Sequence, residues 1–472
     1  MNPNVIVVLC DQLRRDALSI YGDPNIETPN LDRMAGEGVR FDNACSTYPV
    51  CVPFRFTLMT GKYAHTRMIP AIEWRMSPAE RTLADEFNEA GYETMYVGKW
   101  HLSGGQNHMP GYGARREGVR PVPPHLQGRW KHWRGFELRN SPFDTYYFVD
   151  DDPTPRKLEG YQTDGLFDLG MDLITDKHRE GQPFACVISV EPPHPPFEAP
   201  KELEEKWLGI DIDLPPNFLN EERPQMDPDS SSRGSLDRDK IIRQRQLYYA
   251  MVENLDHNMG RLQNYLAEEG LQRNTIVLFA SDHGEMLGAH SLRAKQYPFE
   301  ESCGIPLIGA GPGLEPGRVV RDPVATEDLF PTILGLCGLQ PGHEVSGTDL
   351  SPLMRGERHN LDRPGVMLEF VSEIRPPAPL HQWCYRGFRS ERYKYTVAGD
   401  LTGFQPWQFF DLREDPYEMN NLVDDPASQD KITCHHRWLY DRMVETRDDA
   451  PLAAAHRCPE LNIEPQSIGS AD

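Results

Sequence analysis

The chain has 472 residues, a formal net charge of −23, 38% hydrophobic and 10% aromatic content. That length exceeds one ordinary core and predicts two domains of unequal size, and the composition excludes a disordered chain. The negative balance excludes non-specific attraction to nucleic acid or anionic lipid, and no apolar run approaches the roughly 18–20 residues that span a bilayer.

Four short apolar runs along the chain each end in polar residues. "NVIVVLC" (4–10) is β-branched and delivers Asp11. "ETMYVGKWHL" (93–102) ends on Lys99 and His101, "PFACVISVEPPHPPF" (183–197) on His194, and "NTIVLFASDHGE" (274–285) on Asp282 and His283. Such runs read as buried strands. Open α/β sheets bind ligands outside the carboxyl ends of their strands, so the pattern predicts a site assembled from strand ends.

Helices fall between the runs. "TLADEFNEAG" (82–91) reads as a helix closed by Gly91. In 241–266, Ile241, Tyr248, Met251, Val252, Leu255, Met259, Leu262 and Leu266 recur at helical spacing. This alternation predicts an α/β sandwich with a mostly parallel sheet. Residues 103–160, rich in Gly, Pro, Arg and Trp, lack clear elements and read as an insertion carrying a substrate loop. Residues 210–236 are a second irregular stretch. After about residue 360 the style changes: "VMLEFV", "WCYRGFRS", "RYKYTV" and "PWQFFDL" read as antiparallel strands, with one helix near 429–446. The expected division is a catalytic domain over 1–360 and a smaller α+β subdomain over 361–472.

The nine cysteines form no CxxC pair and no disulfide framework. Cys10 and Cys186 sit inside apolar strands and read as buried thiols. The chain shows no signal peptide, so the expectation is a cytoplasmic protein or an exported one whose signal was removed.

Asp11 and Asp282, with Gln12 and His283 beside them, form an oxygen-rich set that suits a hard divalent cation; the imidazole moves the preference toward Mn²⁺ or Zn²⁺. Either aspartate alone reads as a helix N-cap, while the two together favour a metal. Arg55, Lys99, His101, His194 and Lys295 come from five segments and could surround a tetrahedral oxyanion, with a histidine moving a proton. Each alone is ordinary. Cys51 lies in "CVPFRFTLMTGKY", where Pro53 suits the first turn of a helix. A cysteine at such an N-terminus is expected to be a low-pKa thiol, yet no partner base marks a thiol enzyme and a thiolate suits a hard metal poorly.

These stretches together resemble the type I sulfatases, the formylglycine-dependent branch of the alkaline phosphatase superfamily. Cys51-Val52-Pro53-Phe54-Arg55 matches the family's Cys-x-Pro-x-Arg core, and "LMTGKYAH" continues it. "VIVVLCDQLRRDALSIYG", "GYETMYVGKWHL", "PHPPF", "SDHGEMLGAH", "KQYPFEESCGIPLI", "GFRSERYKYT" and "FFDLREDPYEMNNL" look like family blocks in family order.

The resemblance implies an alkaline-phosphatase-like three-layer sandwich with a mostly parallel central sheet, plus the smaller antiparallel C-terminal subdomain. It implies that Cys51 is oxidised to formylglycine by a formylglycine-generating or anaerobic sulfatase-maturating enzyme. One hydroxyl of the hydrated aldehyde would attack sulfur and expel the alcohol; deprotonation of the other hydroxyl of the resulting sulfate hemiacetal would re-form the aldehyde and release sulfate. Asp11, Gln12, Asp282, His283 and the oxygen of residue 51 would hold the metal. Arg55 and Lys99 would stabilise the ionised diol, His101 would take its proton, and His194 and Lys295 would contact the sulfate.

Three positions depart from the usual pattern: Phe54 replaces a serine, Gln12 an aspartate and His283 an asparagine. The last two resemble the choline-sulfatase and phosphonate monoester hydrolase side of the superfamily, where Mn²⁺ is sometimes the metal; the expectation keeps Ca²⁺ first and Mn²⁺ second. The "GKWHL" pair favours a sulfatase over a phosphonate or phosphate ester hydrolase; a degenerate non-catalytic member with Cys51 unconverted is supported only by Phe54, since every other expected catalytic side chain is present. For the alcohol side of the substrate, small molecule or oligosaccharide, the candidates are Arg129, Trp130, His132, Trp133 and Arg134 in "GRWKHWR", which could stack on a sugar or could simply pin the loop.

Overall fold

The computed structural model describes residues 2–69, 72, 74–104, 120–179, 181–219, 236–371, 384–400 and 403–448. In chain order its strands are β1 (Asn4–Asp11), β2 (Val39–Phe41), β3 (Ala44–Cys45), β4 (Glu93–Lys99), β5 (His132–Phe136), β6 (Tyr146–Val149), β7 (Asp152–Lys157), β8 (Phe184–Pro193), β9 (Thr275–Ser281), β10 (Leu307–Ala310), β11 (Arg318–Val320), β12 (Val324–Ala325), β13 (Gly365–Phe370), β14 (Cys384–Ser390), β15 (Tyr393–Asp400) and β16 (Gly403–Asp411).

Ten of them form one sheet in the order β11-β2-β10-β9-β1-β8-β4-β5-β6-β7. Its centre, β9-β1-β8-β4-β5, is parallel throughout, while β10 and β6 run against their neighbours. β1 lies in the middle and is buried along its whole length, as a β-branched run flanked by two strands should be.

Its side chains alternate between two cores. Val5, Val7 and Leu9 pack on one face with Val52, Phe54, Phe56 and Leu58 of the helix Cys51–Thr60. Ile6, Val8 and Cys10 pack on the other with Tyr248, Met251, Val252 and Leu255 of the helix Arg238–Glu268. Helices therefore cover both faces, giving three layers. The second long helix matches the 241–266 periodicity, and the helix Leu83–Glu89 lies where 82–91 predicts one.

β13 to β16 form a four-stranded antiparallel sheet, followed by the helix Gln429–Glu445. This C-terminal unit is not independent of the larger one. Val366, Leu368, Phe370 and Tyr385 belong to the same apolar cluster as the helix Cys51–Thr60.

The region 103–160 differs from its expectation. Part of it, 105–119, lies outside the described residues, as does most of 210–236. The rest supplies β5, β6 and β7, which extend the main sheet by three strands. Short, Gly- and Pro-punctuated strands with mixed polarity carry little periodic signal, and pairing to β4 is what makes them regular.

Candidate active site

The four runs end at one edge of the sheet. Asp11 closes β1, Lys99 closes β4, His194 follows β8, and Asp282 and His283 follow β9. Gly98 makes room there: its φ is +96°, and a Cβ on it would lie 1.9 Å from the carbonyl oxygen of Ser189 on β8. Only glycine fits that close approach.

Cys51 is the first residue of its helix and is buried. Its sulfur lies 3.2 Å from His283 Nε2, 3.6 Å from Asp11 Oδ1 and 3.6 Å from Lys295 Nζ. Four ligand-type atoms, one each from Asp11, Cys51, Asp282 and His283, lie within 4.8 Å of one another. His283 Nδ1 is 3.0 Å from the carbonyl oxygen of Gly284, which can only accept, so the proton sits on Nδ1 and the Nε2 lone pair faces the cluster. From there Nε2 is 3.5 Å from Asp282 Oδ1 and 3.7 Å from Asp11 Oδ1.

Burial and then the Asp11 charge push the Asp282 carboxyl up to about 7. Two buried carboxylates converging with an inward-facing imidazole lone pair fit a divalent cation, which would relieve that repulsion. Gln12 joins them: its backbone N–H donates to Asp282 Oδ1 at 3.0 Å, and its side-chain oxygen accepts from Lys295 Nζ at 2.6 Å.

The cations converge as well. Lys99 forms an ion pair with Asp11. Arg55 lies 3.4 Å from Asp11 and 3.3 Å from Asp282, and donates to Ser189 Oγ at 2.9 Å and the Lys99 carbonyl at 3.0 Å. Burial works to raise the Asp11 carboxyl, but Lys99, His194 and Lys295 outweigh it and hold it well below the usual range. His101 is buried with no hydrogen-bond partner on either ring nitrogen among the described residues. Burial, then Lys99 and Arg55, hold it well below the ordinary imidazole value, so it is a neutral acceptor. Burial and Lys295 likewise bring His194 down to about 3, and its Nδ1 lies 2.7 Å from the Pro195 carbonyl, which puts the proton on Nδ1 and the lone pair on Nε2.

All ten sequence-derived site residues thus meet at this edge. Two expectations are corrected. Cys51 is not a low-pKa thiol: burial, then Asp11, push it up to about 12, outweighing Lys295 and Lys99. The "GRWKHWR" side chains do not line the site. Trp130 and Trp133 are buried against Tyr96, with Trp133 stacked on it at 5.1 Å. Arg129 pairs with Asp85, His132 with Glu93 and Arg134 with Asp176. They enter β5 at its amino end, with Trp133 beside Tyr96, whereas the site lies beyond Lys99 and Phe136 at the carboxyl ends.

Three further residues shape the site. Ser189 anchors Arg55, Glu191 accepts from Arg139 N, Asn140 N and Gln162 Nε2, and Glu285 accepts from Gln12 Nε2. Each sits within five residues of a predicted site residue in the strand-end blocks, the one signal that could have found them.

Carboxylates, an imidazole lone pair and several cations converging at one sheet edge could hold both a divalent cation and an anionic ester. The model of the sulfatase family matches residues 3–339, and that of the C-terminal part of N-sulphoglucosamine sulphohydrolase matches residues 288–447. An ulvan-active sulfatase of Formosa agariphila is 32% identical over 90% of this chain and 78% of its own. A Delta 4,5-hexuronate-2-O-sulfatase of Bacteroides thetaiotaomicron is 26% identical over 95% and 90%. The solved structure of the yidJ sulfatase from Bacteroides fragilis superposes with a TM-score of 0.82 at 27% identity, covering 95% of this chain and 97% of that one. The chain belongs to the sulfatase family: it is a sulfuric ester hydrolase with the alkaline-phosphatase-like fold.

Proposed function

We propose that this enzyme hydrolyses a sulfate ester on a carbohydrate, with residue 51 converted to formylglycine and one divalent cation held by Asp11, Gln12, Asp282, His283 and residue 51. The observation that carries the reading is the state of Cys51. Burial and Asp11 disfavour its thiolate, and sulfur is a soft donor for a hard cation, yet its Sγ lies within 4.8 Å of ligand atoms of Asp11, Asp282 and His283 and 3.6 Å from Lys295 Nζ. An aldehyde hydrate at that place supplies two oxygens where the thiol supplies none that react. A maturation enzyme that reads Cys51, Pro53 and Arg55 is the implied partner. Ca²⁺ is the first choice and Mn²⁺ the second, given the imidazole of His283.

The cation, when bound, acts as a Lewis acid on the sulfate oxygens. The chain's own residues do the rest. Arg55 and Lys99, both buried, stabilise negative charge on the residue 51 oxygens where water cannot screen it. His101 is a neutral acceptor whose ring nitrogens have no partner among the described residues, which suits it to take the proton from the second hydroxyl as sulfate leaves. His194 and Lys295 face the ester. The negative charge of a bound sulfate raises the proton affinity of His194, which suits it to protonate the departing alkoxide.

A carbohydrate substrate is supported by the relative named for hexuronate-2-O-sulfate, not by the tryptophan stretch. The test has two arms. Initial rates with sulfated mono- and oligosaccharides, aryl sulfate and aryl phosphonate compare substrate classes; strong phosphonate turnover with negligible sulfatase turnover overturns the reading. Mass spectrometry of the peptide spanning Cys51 in active protein should show the aldehyde, and an unmodified thiol in fully active enzyme overturns the formylglycine step.

A further inference from the structure

The side-chain amide of Gln12 has two neighbours of opposite character. Its Nε2 donates to Glu285 Oε2, and its Oε1 accepts from Lys295 Nζ at 2.6 Å. A carboxylate can only accept and an ammonium can only donate, so the two fix which way the amide points. Glu285 is itself held. It is 2% exposed, and its Oε1 accepts from the backbone N–H of Leu287 at 3.1 Å and of Ala294 at 2.6 Å.

Ala294 precedes Lys295, whose Nζ also lies 3.6 Å from the Cys51 sulfur. Gln12, Glu285 and the 285–295 loop therefore close a ring of hydrogen bonds that ends on the candidate metal cluster. Gln12 holds its place in that ring at some cost, since its backbone takes a left-handed φ of 68°.

We infer that Glu285 is a positioning residue that turns the carbonyl oxygen of Gln12 toward the metal, and that residues 12 and 285 work as a charge-matched amide–carboxylate pair. The inference rests on the metal reading above. It accounts for an amide at position 12 in physical terms. A carboxylate there would keep Lys295 Nζ on one oxygen but set the other against the buried carboxylate of Glu285, a like-charge contact that the amide replaces with a hydrogen bond. One negative charge is kept, but it sits one shell out.

The consequence runs against ordinary expectation. Adding a carboxylate to an oxygen-rich site normally strengthens its hold on a hard cation. Here Gln12→Glu should weaken it, because the new charge meets Glu285. Glu285→Gln should weaken it by about 10–100-fold, the usual range for the loss of a group that orients a ligand. Its oxygen can still accept from Leu287 and Ala294, but its Nε2 then faces Gln12 Nε2, and relief of that clash turns the Gln12 amide around. In the double variant, Gln12→Glu with Glu285→Gln, the amide at 285 donates to the carboxylate at 12. The pair is rebuilt in reverse, and affinity returns toward that of the unmodified sequence.

Calorimetric titration of the chelator-treated full-length protein with CaCl₂ and with MnCl₂ reads this directly and needs no turnover. Thermal melts of the metal-free proteins report whether each variant folds. Two weakened single variants and a recovered double variant support the pair. Glu285→Gln within about threefold of the parent overturns it, as does tighter binding by Gln12→Glu, or a double variant no better than the weaker single one. If Glu285→Gln does not fold, Gln12→Glu and the double variant still decide. A parent protein that binds neither ion overturns the metal reading and this inference with it, whereas metal binding without sulfatase turnover overturns the proposed reaction alone.

Discussion

Two stretches of this chain look alike. "GKWHL" (98–102) and "RWKHWR" (129–134) both set basic side chains and histidine around tryptophan, and they serve adjacent parallel strands, β4 and β5. In the first, Lys99 pairs with the buried carboxylate of Asp11 and the His101 ring nitrogens have no hydrogen-bond partner among the described residues. In the second, the charged side chains are matched by partners away from the site, and both tryptophans are core. The stretches differ in which end of the strand they occupy. The carboxyl ends open onto the site, while the amino end of β5 packs into the apolar layer that also takes Trp100, 5.5 Å from Trp133. Composition alone therefore says little about function; a polar group left without an ordinary partner at a strand's carboxyl end says much more.

The largest effect expected from this contrast is on Lys99. Lys99→Met should lower kcat for a sulfate ester by roughly 10²–10³-fold, the scale of losing one buried charge-stabilising donor. A steady-state assay that finds kcat within threefold of the parent breaks the contrast at its strongest point. His101→Ala is expected to cost about 10²-fold in kcat or more. Because its ring nitrogens hold nothing in place, the melting temperature should stay close to the parent's; a large drop in melting temperature would make His101 structural.

Trp133→Ala should do the reverse. Removing a buried indole costs about 3–5 kcal/mol of stability, read from the denaturant midpoint. KM for the sulfate ester should stay put in the folded variant, and a raised KM with unchanged stability would return the tryptophan stretch to the substrate. The smallest effects belong to His132→Gln and Arg129→Ala. Their partly exposed pairs with Glu93 and Asp85 should each contribute no more than about 1 kcal/mol, with turnover unchanged in the same assay.

The strand-end logic was legible in the sequence because each delivering strand is short, β-branched and ends abruptly in charge. Asp11, Lys99 and Asp282 follow directly from those endings, and the helix bearing Cys51 from Pro53 and its apolar successors. The environment of Cys51 was not legible. A helix N-terminus favours the thiolate, but complete burial beside Asp11 opposes it more strongly, and burial is a property of all three layers at once. Glu285 was hidden for a similar reason. Its carboxylate follows "SDHG" in the chain, yet its partner Gln12 lies 273 residues away.

What the sequence by itself determined was the inventory: which strands end in which chemical groups, and that a candidate metal-ligand set and a set of cationic side chains both exist. Local pattern suffices there, because a buried strand and its terminal side chain are written in adjacent residues. Only the tertiary structure decided which basic, aromatic stretch faces the site and which is core, and which carboxylate holds Gln12. Those outcomes depend on the neighbour each side chain meets across the sheet or loop, and on whether that neighbour neutralises it.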